Sequence, residues 1–218
     1  MNCLRTFMLF FSIAFVSASA QQKDSLQVEK KYQPNFMVGG DLLNAGISFF
    51  SDRKVYQGFI STHLKKDLHL IAELGYEDNL YDKNGYEAYA KGAYLKAGGF
   101  YMLMKDTENE FNGFYAGPKL AASMYEQQYV KVPVRGSQGG DSFVGFDPSN
   151  QTSVWIEGAI GGRVQLFKSA FYIDVNVQPR YLVYTTKQEE ITPMIVPGFG
   201  KSSSNFNLGF AWNLAFKF

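Results

Sequence analysis

From Phe206 to Phe218 the chain reads FNLGFAWNLAFKF, with large apolar side chains at every second position: Phe206, Leu208, Phe210, Trp212, Leu214, Phe216 and Phe218. Small or polar residues fill the places between. Successive side chains of a strand point to opposite faces, so the stretch specifies a strand with one wholly apolar face. A helix would scatter the same residues around its axis. The alternation recurs along the chain, and it leaves two outcomes: a sheet whose apolar faces are all covered, or a surface that meets lipid.

Composition helps to choose between them. The chain has 218 residues, 17% of them aromatic, with 21 glycines, yet its mean hydropathy is −0.17. After position 20 no run reaches the ~20 apolar residues that a membrane-crossing helix needs. A membrane β-barrel hides its apolar content in alternate positions and so averages like a soluble protein. The formal net charge of +1 gives no electrostatic basis for binding nucleic acid.

The first residues, MNCLRTFMLFFSIAFVSASA, carry Arg5, an apolar core from Phe7 to Val16, and the small-residue ending Ala18-Ser19-Ala20. This pattern predicts a secretory signal peptide over 1–20, cleaved after Ala20. Cys3 is the sole cysteine and lies inside it, so neither a disulfide nor a cysteine-bound metal is expected in the exported chain. Residues 21–34, QQKDSLQVEKKYQP, read as a polar leader. The expected domain is then 35–218.

Period-two reading places eight strands at 35–50, 55–64, 68–79, 87–104, 111–130, 152–167, 170–186 and 205–218. The fold class expected is all-β: an eight-stranded antiparallel up-and-down transmembrane β-barrel behind a cleaved signal peptide. Such barrels have an even strand count, short periplasmic turns and longer outside loops. With the chain starting on the periplasmic side, the turns fall at 65–67, 105–110 and 168–169, all short. The outside connections fall at 51–54, 79–86, 131–151 and 187–204, of which only the first is short.

The stretch 154–183 fixes a register. A two-residue turn at Lys168-Ser169 sets Arg163 opposite Asp174 and Glu157 opposite Arg180 on one face, with Gln165, Asn176 and Gln178 beside them. By the same alternation Glu73, Lys96, Lys119 and Lys217 point into the lumen. An eight-stranded interior is narrow enough for side chains to fill, so these charges are read as a structural plug in which opposite signs neutralise one another. A proton or ion path is the alternative. Pro118 and Pro179 sit in mid-strand, where each predicts a bulge or a lapse of pairing. Tyr94, Tyr101, Phe114, Tyr115, Tyr181, Tyr184, Trp212 and Phe216 suggest aromatic girdles, some of them necessarily facing inward.

Little points to catalysis. The two histidines, His63 and His69, flank the turn at 65–67. An enzyme acting on the outer leaflet would need its histidine at the other end. No metal-ligand spacing occurs, Asp141 and Asp147 do not match a calcium loop, and GFGKS at 198–202 lacks the rest of a phosphate loop. No enzyme activity, metal or cofactor is expected.

The segments YQGF (56–59), LIAELGYED (70–78), GAYLKAGGFYM (92–102), FYAGPKLAASMY (114–125), WIEGAIGGRVQLF (155–167) and IVPGFGKSSSNFNLGFAWNL (195–214) run in a characteristic order. In order and spacing they resemble a Bacteroidetes family of exported β-barrel-like proteins catalogued as domain of unknown function 6048. The resemblance implies the outer membrane of a Gram-negative bacterium and brings no activity with it. The ending on Trp212, Phe216 and Phe218 resembles the C-terminal signal that the barrel assembly machinery recognises. The expected partners are therefore outer-membrane lipid and that machinery, with an unspecified extracellular ligand. The expected role is structural or surface-binding through 131–151 and 187–204, the alternatives being a small pore or transport accessory, a lipid-modifying enzyme, and a soluble periplasmic β-protein.

Overall fold

The computed structural model describes residues 35–65, 67–135, 141–188 and 191–218. The expected signal peptide and leader, 1–34, lie outside the described residues. The chain forms β1 (Phe36–Asp41), α1 (Leu42–Phe50), β2 (Lys54–Lys65), β3 (Leu68–Lys83), β4 (Tyr86–Lys105) and β5 (Gly113–Arg135). There follow β6 (Asp141–Val144), β7 (Ser149–Gln165), β8 (Phe171–Thr185), β9 (Ile195–Val196), β10 (Gly200–Lys201) and β11 (Phe206–Lys217).

Eight of these strands close a ring. Each pairs antiparallel with its sequence neighbour along the wall, in the order β1-β2-β3-β4-β5-β7-β8-β11, and β11 returns to β1 with Val38 opposite Phe216. Closure leaves no sheet edge around the half of the wall where β1 is present, which is how a barrel removes the edge-strand liability. β6 pairs only with the far extension of β5, Val132 to Arg135. One end of the ring carries α1, the β5–β6 extension and the β9–β10 hairpin; this is the loop end. The other, the turn end, receives the start of β1 and the last residues of β11.

The sequence reading of 35–50 as one strand needs correction. The chain leaves the wall at Asp41, whose side chain accepts a hydrogen bond from the Asn44 N–H at 3.1 Å and caps α1. Asp is among the preferred caps, and the adjacent Leu42-Leu43 pair breaks period two. The first loop-end connection is thus a helix, while the second is the short one. β3 runs to Lys83 and β4 starts at Tyr86, joined by Asn84-Gly85 with φ of 56° and 80°. Asn-Gly is the dipeptide that tolerates two left-handed residues in a type I′ hairpin turn.

The β7–β8 register agrees with the sequence, Arg163 opposite Asp174 and Glu157 opposite Arg180. Its turn lies one residue earlier than expected. Phe167 and Lys168 take φ of 46° and 56°, and the Ser169 N–H donates to the Leu166 carbonyl at 2.8 Å. Near the prolines the ladder lapses without changing register. β4 and β5 are unpaired across Gly99-Phe100, and β7 and β8 across Gly158-Ala159, while Pro118 sits opposite Gly158.

The two faces of the wall differ sharply. Outward positions are apolar or small: Leu68, Leu70, Ala72, Leu74 and Tyr76 on β3; Val154, Ile156, Ile160 and Val164 on β7; and the six large residues of β11. Inward positions carry the polar and charged residues, and Glu77, Lys96, Glu157, Arg163, Asp174 and Gln178 are all 2% exposed or less. Of the expected girdle aromatics, Tyr101, Phe114, Tyr181, Tyr184, Trp212 and Phe216 face out. Tyr94 and Tyr115 face in, because they share parity with Lys96 and Lys119 on their strands.

Candidate functional site

Strand alternation brings five charged side chains from five strands to one level of the lumen. Glu157 on β7 is paired with Lys96 Nζ at 3.0 Å, Lys119 Nζ at 2.9 Å and Arg180 Nε at 3.0 Å. Glu73 on β3 receives Lys119 Nζ at 2.6 Å and stands 3.6 Å from Lys96 Nζ. Gln57 Nε2 donates to Glu73 at 3.2 Å, and Gln57 Oε1 accepts from the Tyr94 hydroxyl at 2.8 Å. Isolated, any of these charges would be costly away from water; as a cluster each finds an opposite charge at contact distance.

A second group lies toward the turn end. Asp174 accepts from Arg163 Nε at 2.9 Å, from the Tyr115 hydroxyl at 2.8 Å and from Asn176 Nδ2 at 3.0 Å, with Asn213 Nδ2 at 3.3 Å. The Arg163 guanidinium also lies over the rings of Phe100 and Tyr115, 5.3 and 5.7 Å from their centroids. The void bounded by Glu73, Phe100, Tyr115, Lys119, Arg163 and Asp174 holds only ≈ 10 Å³, about the minimum for one water.

The loop end is closed from inside. Ile195, Val196, Pro197, Gly198 and Phe199 are all buried, and Ile195, Val196 and Phe199 pack with Tyr94, Tyr125, Trp155 and Leu182. Phe199 meets Trp155 edge-on at 5.9 Å. Gly198 has φ of 80°, and a Cβ there would come within 2.5 Å of the Tyr94 ring, so only glycine fits. Its N–H donates to Glu77 Oε2 at 2.9 Å, and Glu77 in turn pairs with Arg53 Nε at 2.8 Å. The Phe199 carbonyl accepts from Arg180 Nη1 and Asn207 Nδ2, each at 3.0 Å. The hairpin is therefore bonded to the ion cluster below it and to the closing strand beside it.

The structure thus brings together Glu73, Lys96, Lys119, Glu157 and Arg180, and separately Arg163 with Asp174. Lys217 stands apart from both, its Nζ 4.0 Å from the Phe111 ring centroid at the turn end. Trp212, Phe216 and Phe218 face outward, with Phe216 edge-on to Phe171 at 5.2 Å and to Phe218 at 5.0 Å. His63 and His69 sit 5.0 Å apart at the turn end, and His69 stacks on Phe100 at 4.9 Å. Sequence reasoning missed Tyr94, Tyr115 and the Arg53–Glu77 pair as parts of the interior. The parity of the two tyrosines with neighbouring lysines was the signal available. Arg53 follows a helix that the strand reading did not include, so its reach into the lumen had no sequence signal.

The sequence model of a family described as Domain of unknown function (DUF6048) matches residues 1–218. No curated protein matches the chain. Among solved structures, the N-terminal β-barrel domain of OprF from Pseudomonas aeruginosa is 12% identical over 85% of this chain and 96% of that one, with a TM-score of 0.35. Neisserial surface protein A (NspA) is 12% identical over the same shares, 85% and 96%, with a TM-score of 0.34.

Proposed function

The chain belongs to the DUF6048 family, and from that premise we propose that it is an outer-membrane barrel with a closed lumen, serving as a membrane-held binding protein rather than a pore or an enzyme. The observation that carries this reading is the filled interior. Buried ion pairs occupy the middle of the lumen, and the Ile195–Lys201 hairpin covers it at the loop end. A membrane setting is supported by the outer face. The five outward residues from Leu68 to Tyr76 span nine positions, the length of a tilted strand crossing a ~25 Å apolar band. On this reading residues 1–20 direct export, and the outward Trp212, Phe216 and Phe218 present the last strand to the assembly machinery.

Conductance tests the closed lumen. Purified protein in a planar bilayer is expected to give no discrete current steps at moderate voltage. Reproducible steps of one size would replace the binding role with a pore.

Lysine scanning tests the membrane setting. Ile160→Lys, in the middle of the outward row of β7 and 59% exposed, is expected to cost about 2–4 kcal/mol of folding stability in lipid, and Phe167→Lys in the turn about 0–1. Urea titration of vesicle-reconstituted protein reads the difference. Equal costs at the two positions would argue that the outer face meets water.

A further inference from the structure

The wall is not strand-paired at every height. β1 meets β11 only from Met37–Lys217 to Asp41–Asn213, and meets β2 only as far as Gly40–Gly58. Toward the loop end, Phe206–Trp212 of β11 and Lys54–Gln57 of β2 have no strand on that side among the described residues. α1 stands in the gap, fastened to β2. Ser48 Oγ accepts the Val55 N–H at 2.7 Å, and Lys54 Nζ donates to the Ser48 carbonyl at 2.6 Å.

Between α1 and β11 lies a cleft of ≈ 530 Å³. Its sides are Leu43 and Ile47 of α1 and Leu208 and Phe210 of β11, and the last three of these lie more than two-fifths exposed on the outer face. The lining also carries Arg53, Lys83, Arg180 and Lys201 with Asp82; Arg53 is already paired with Glu77 and Arg180 with Glu157, so among the described residues the cations left to meet a ligand are Lys83 and Lys201. Arg180 reaches the cleft because β11 has glycine at 209, where a Cβ would stand 2.4 Å from the guanidinium carbon. The cleft is apolar where it faces outward and cationic where it meets the barrel's loop end. Its volume is that of an ordinary small-ligand site.

We propose that this cleft holds a phosphate-bearing membrane lipid, entering sideways between α1 and β11 with its acyl chain along Ile47, Leu208 and Phe210 and its headgroup against Lys83 and Lys201. The two unpaired lysines select an anionic headgroup, and the exposed apolar side of the cleft selects a ligand that arrives from the bilayer. The proposal rests on the membrane setting inferred above and supplies the binding role with a ligand class.

Trp212 lies two positions from Phe210 on the same outward face of β11, while Trp155 is buried. Trp212 fluorescence therefore reads the neighbourhood of the cleft. Protein in phosphatidylcholine nanodiscs is titrated with acyl-brominated phosphatidylglycerol or, separately, acyl-brominated phosphatidylcholine. Quenching by the phosphatidylglycerol is expected at a severalfold lower mole fraction. Lys201→Glu, which changes an exposed side chain, should reduce that preference by about fivefold or more, since a Lys or Arg near an anionic lipid surface is worth about 1 kcal/mol. Superimposable curves for the two lipids, or a preference untouched by both Lys201→Glu and Lys83→Gln, would overturn the lipid site while leaving the membrane setting intact. Absence of quenching by either lipid would overturn the membrane setting and the site together.

Discussion

Glu157→Gln is expected to leave little folded barrel. The substitution keeps shape and removes one charge from a buried cluster in which Glu157 and Glu73 serve Lys96, Lys119 and Arg180. Three cations would then face one carboxylate at a level sealed from water. Breaking one buried pair costs about 3–5 kcal/mol because the survivor stays charged and unpaired, and here three partners lose the same acid at once. That is comparable to the whole stability of a typical domain, about 5–15 kcal/mol. Measured as the fraction migrating as compact, heat-sensitive barrel on a gel, the variant should be mostly unfolded. Adding Lys96→Met should recover part of the loss by restoring the charge balance with a side chain of similar length. A single variant as stable as the parent would mean that water reaches the cluster, and the closed lumen would fall with it.

Arg163→Glu is expected to be nearly as damaging, by a different route. It sets a second carboxylate against Asp174, which is 1% exposed, where like charges have neither solvent nor a counter-ion to separate them. The loss should exceed the ~3–5 kcal/mol of simply removing a buried partner. The exchange Arg163→Glu with Asp174→Arg restores the pair across the same rung and should return part of the stability. Full recovery is not expected, because the Tyr115 hydroxyl and Asn176 amide now bond to the Asp174 carboxylate, and the Arg163 guanidinium lies over Phe100 and Tyr115. Urea midpoints of the two variants check this. If the exchange is no better than Arg163→Glu alone, proximity across the rung is not what holds these residues.

Much of the barrel could be read from its chain because period two is a local property. A strand that alternates Val154, Ile156, Ile160 and Val164 with Glu157 and Arg163 declares both faces, and a one-residue slip would turn every charge outward. Register between β7 and β8 was equally legible, since a short connection ties the two strands. Three features were not. α1 reads as strand because LLNAGISFF is as apolar as its neighbours, and only its cap, Asp41, and the Leu42-Leu43 pair mark the change. The Asn84-Gly85 turn was covered by a loop although its dipeptide is a strong hairpin signal. The hairpin at Ile195–Lys201 falls within the outside connection 187–204 of the sequence reading, and its place inside the ring depends on Glu77, Arg180 and Asn207, residues from β3, β8 and β11 that no local pattern connects. Periodicity assigns all five charges of the cluster to the lumen, but the contacts they make beyond adjacent strands, such as Glu157 with Lys96, depend on closure of the ring, which no local pattern describes.

The lapses beside Pro118 and Pro179 bear on how the barrel carries load. Hydrogen-bond ladders are the hoops of such a cylinder, and two are missing at nearly one height, between β4 and β5 and between β7 and β8. One residue away along β7, Glu157 reaches Lys96 on β4, Lys119 on β5 and Arg180 on β8. Two of those contacts bridge directly paired strands on the lumen side, β5 to β7 and β7 to β8, and the third passes over β5 to reach β4, like the internal ribs of a tube. Where the backbone hoops lapse, charged side chains on the inner face tie the same strands together.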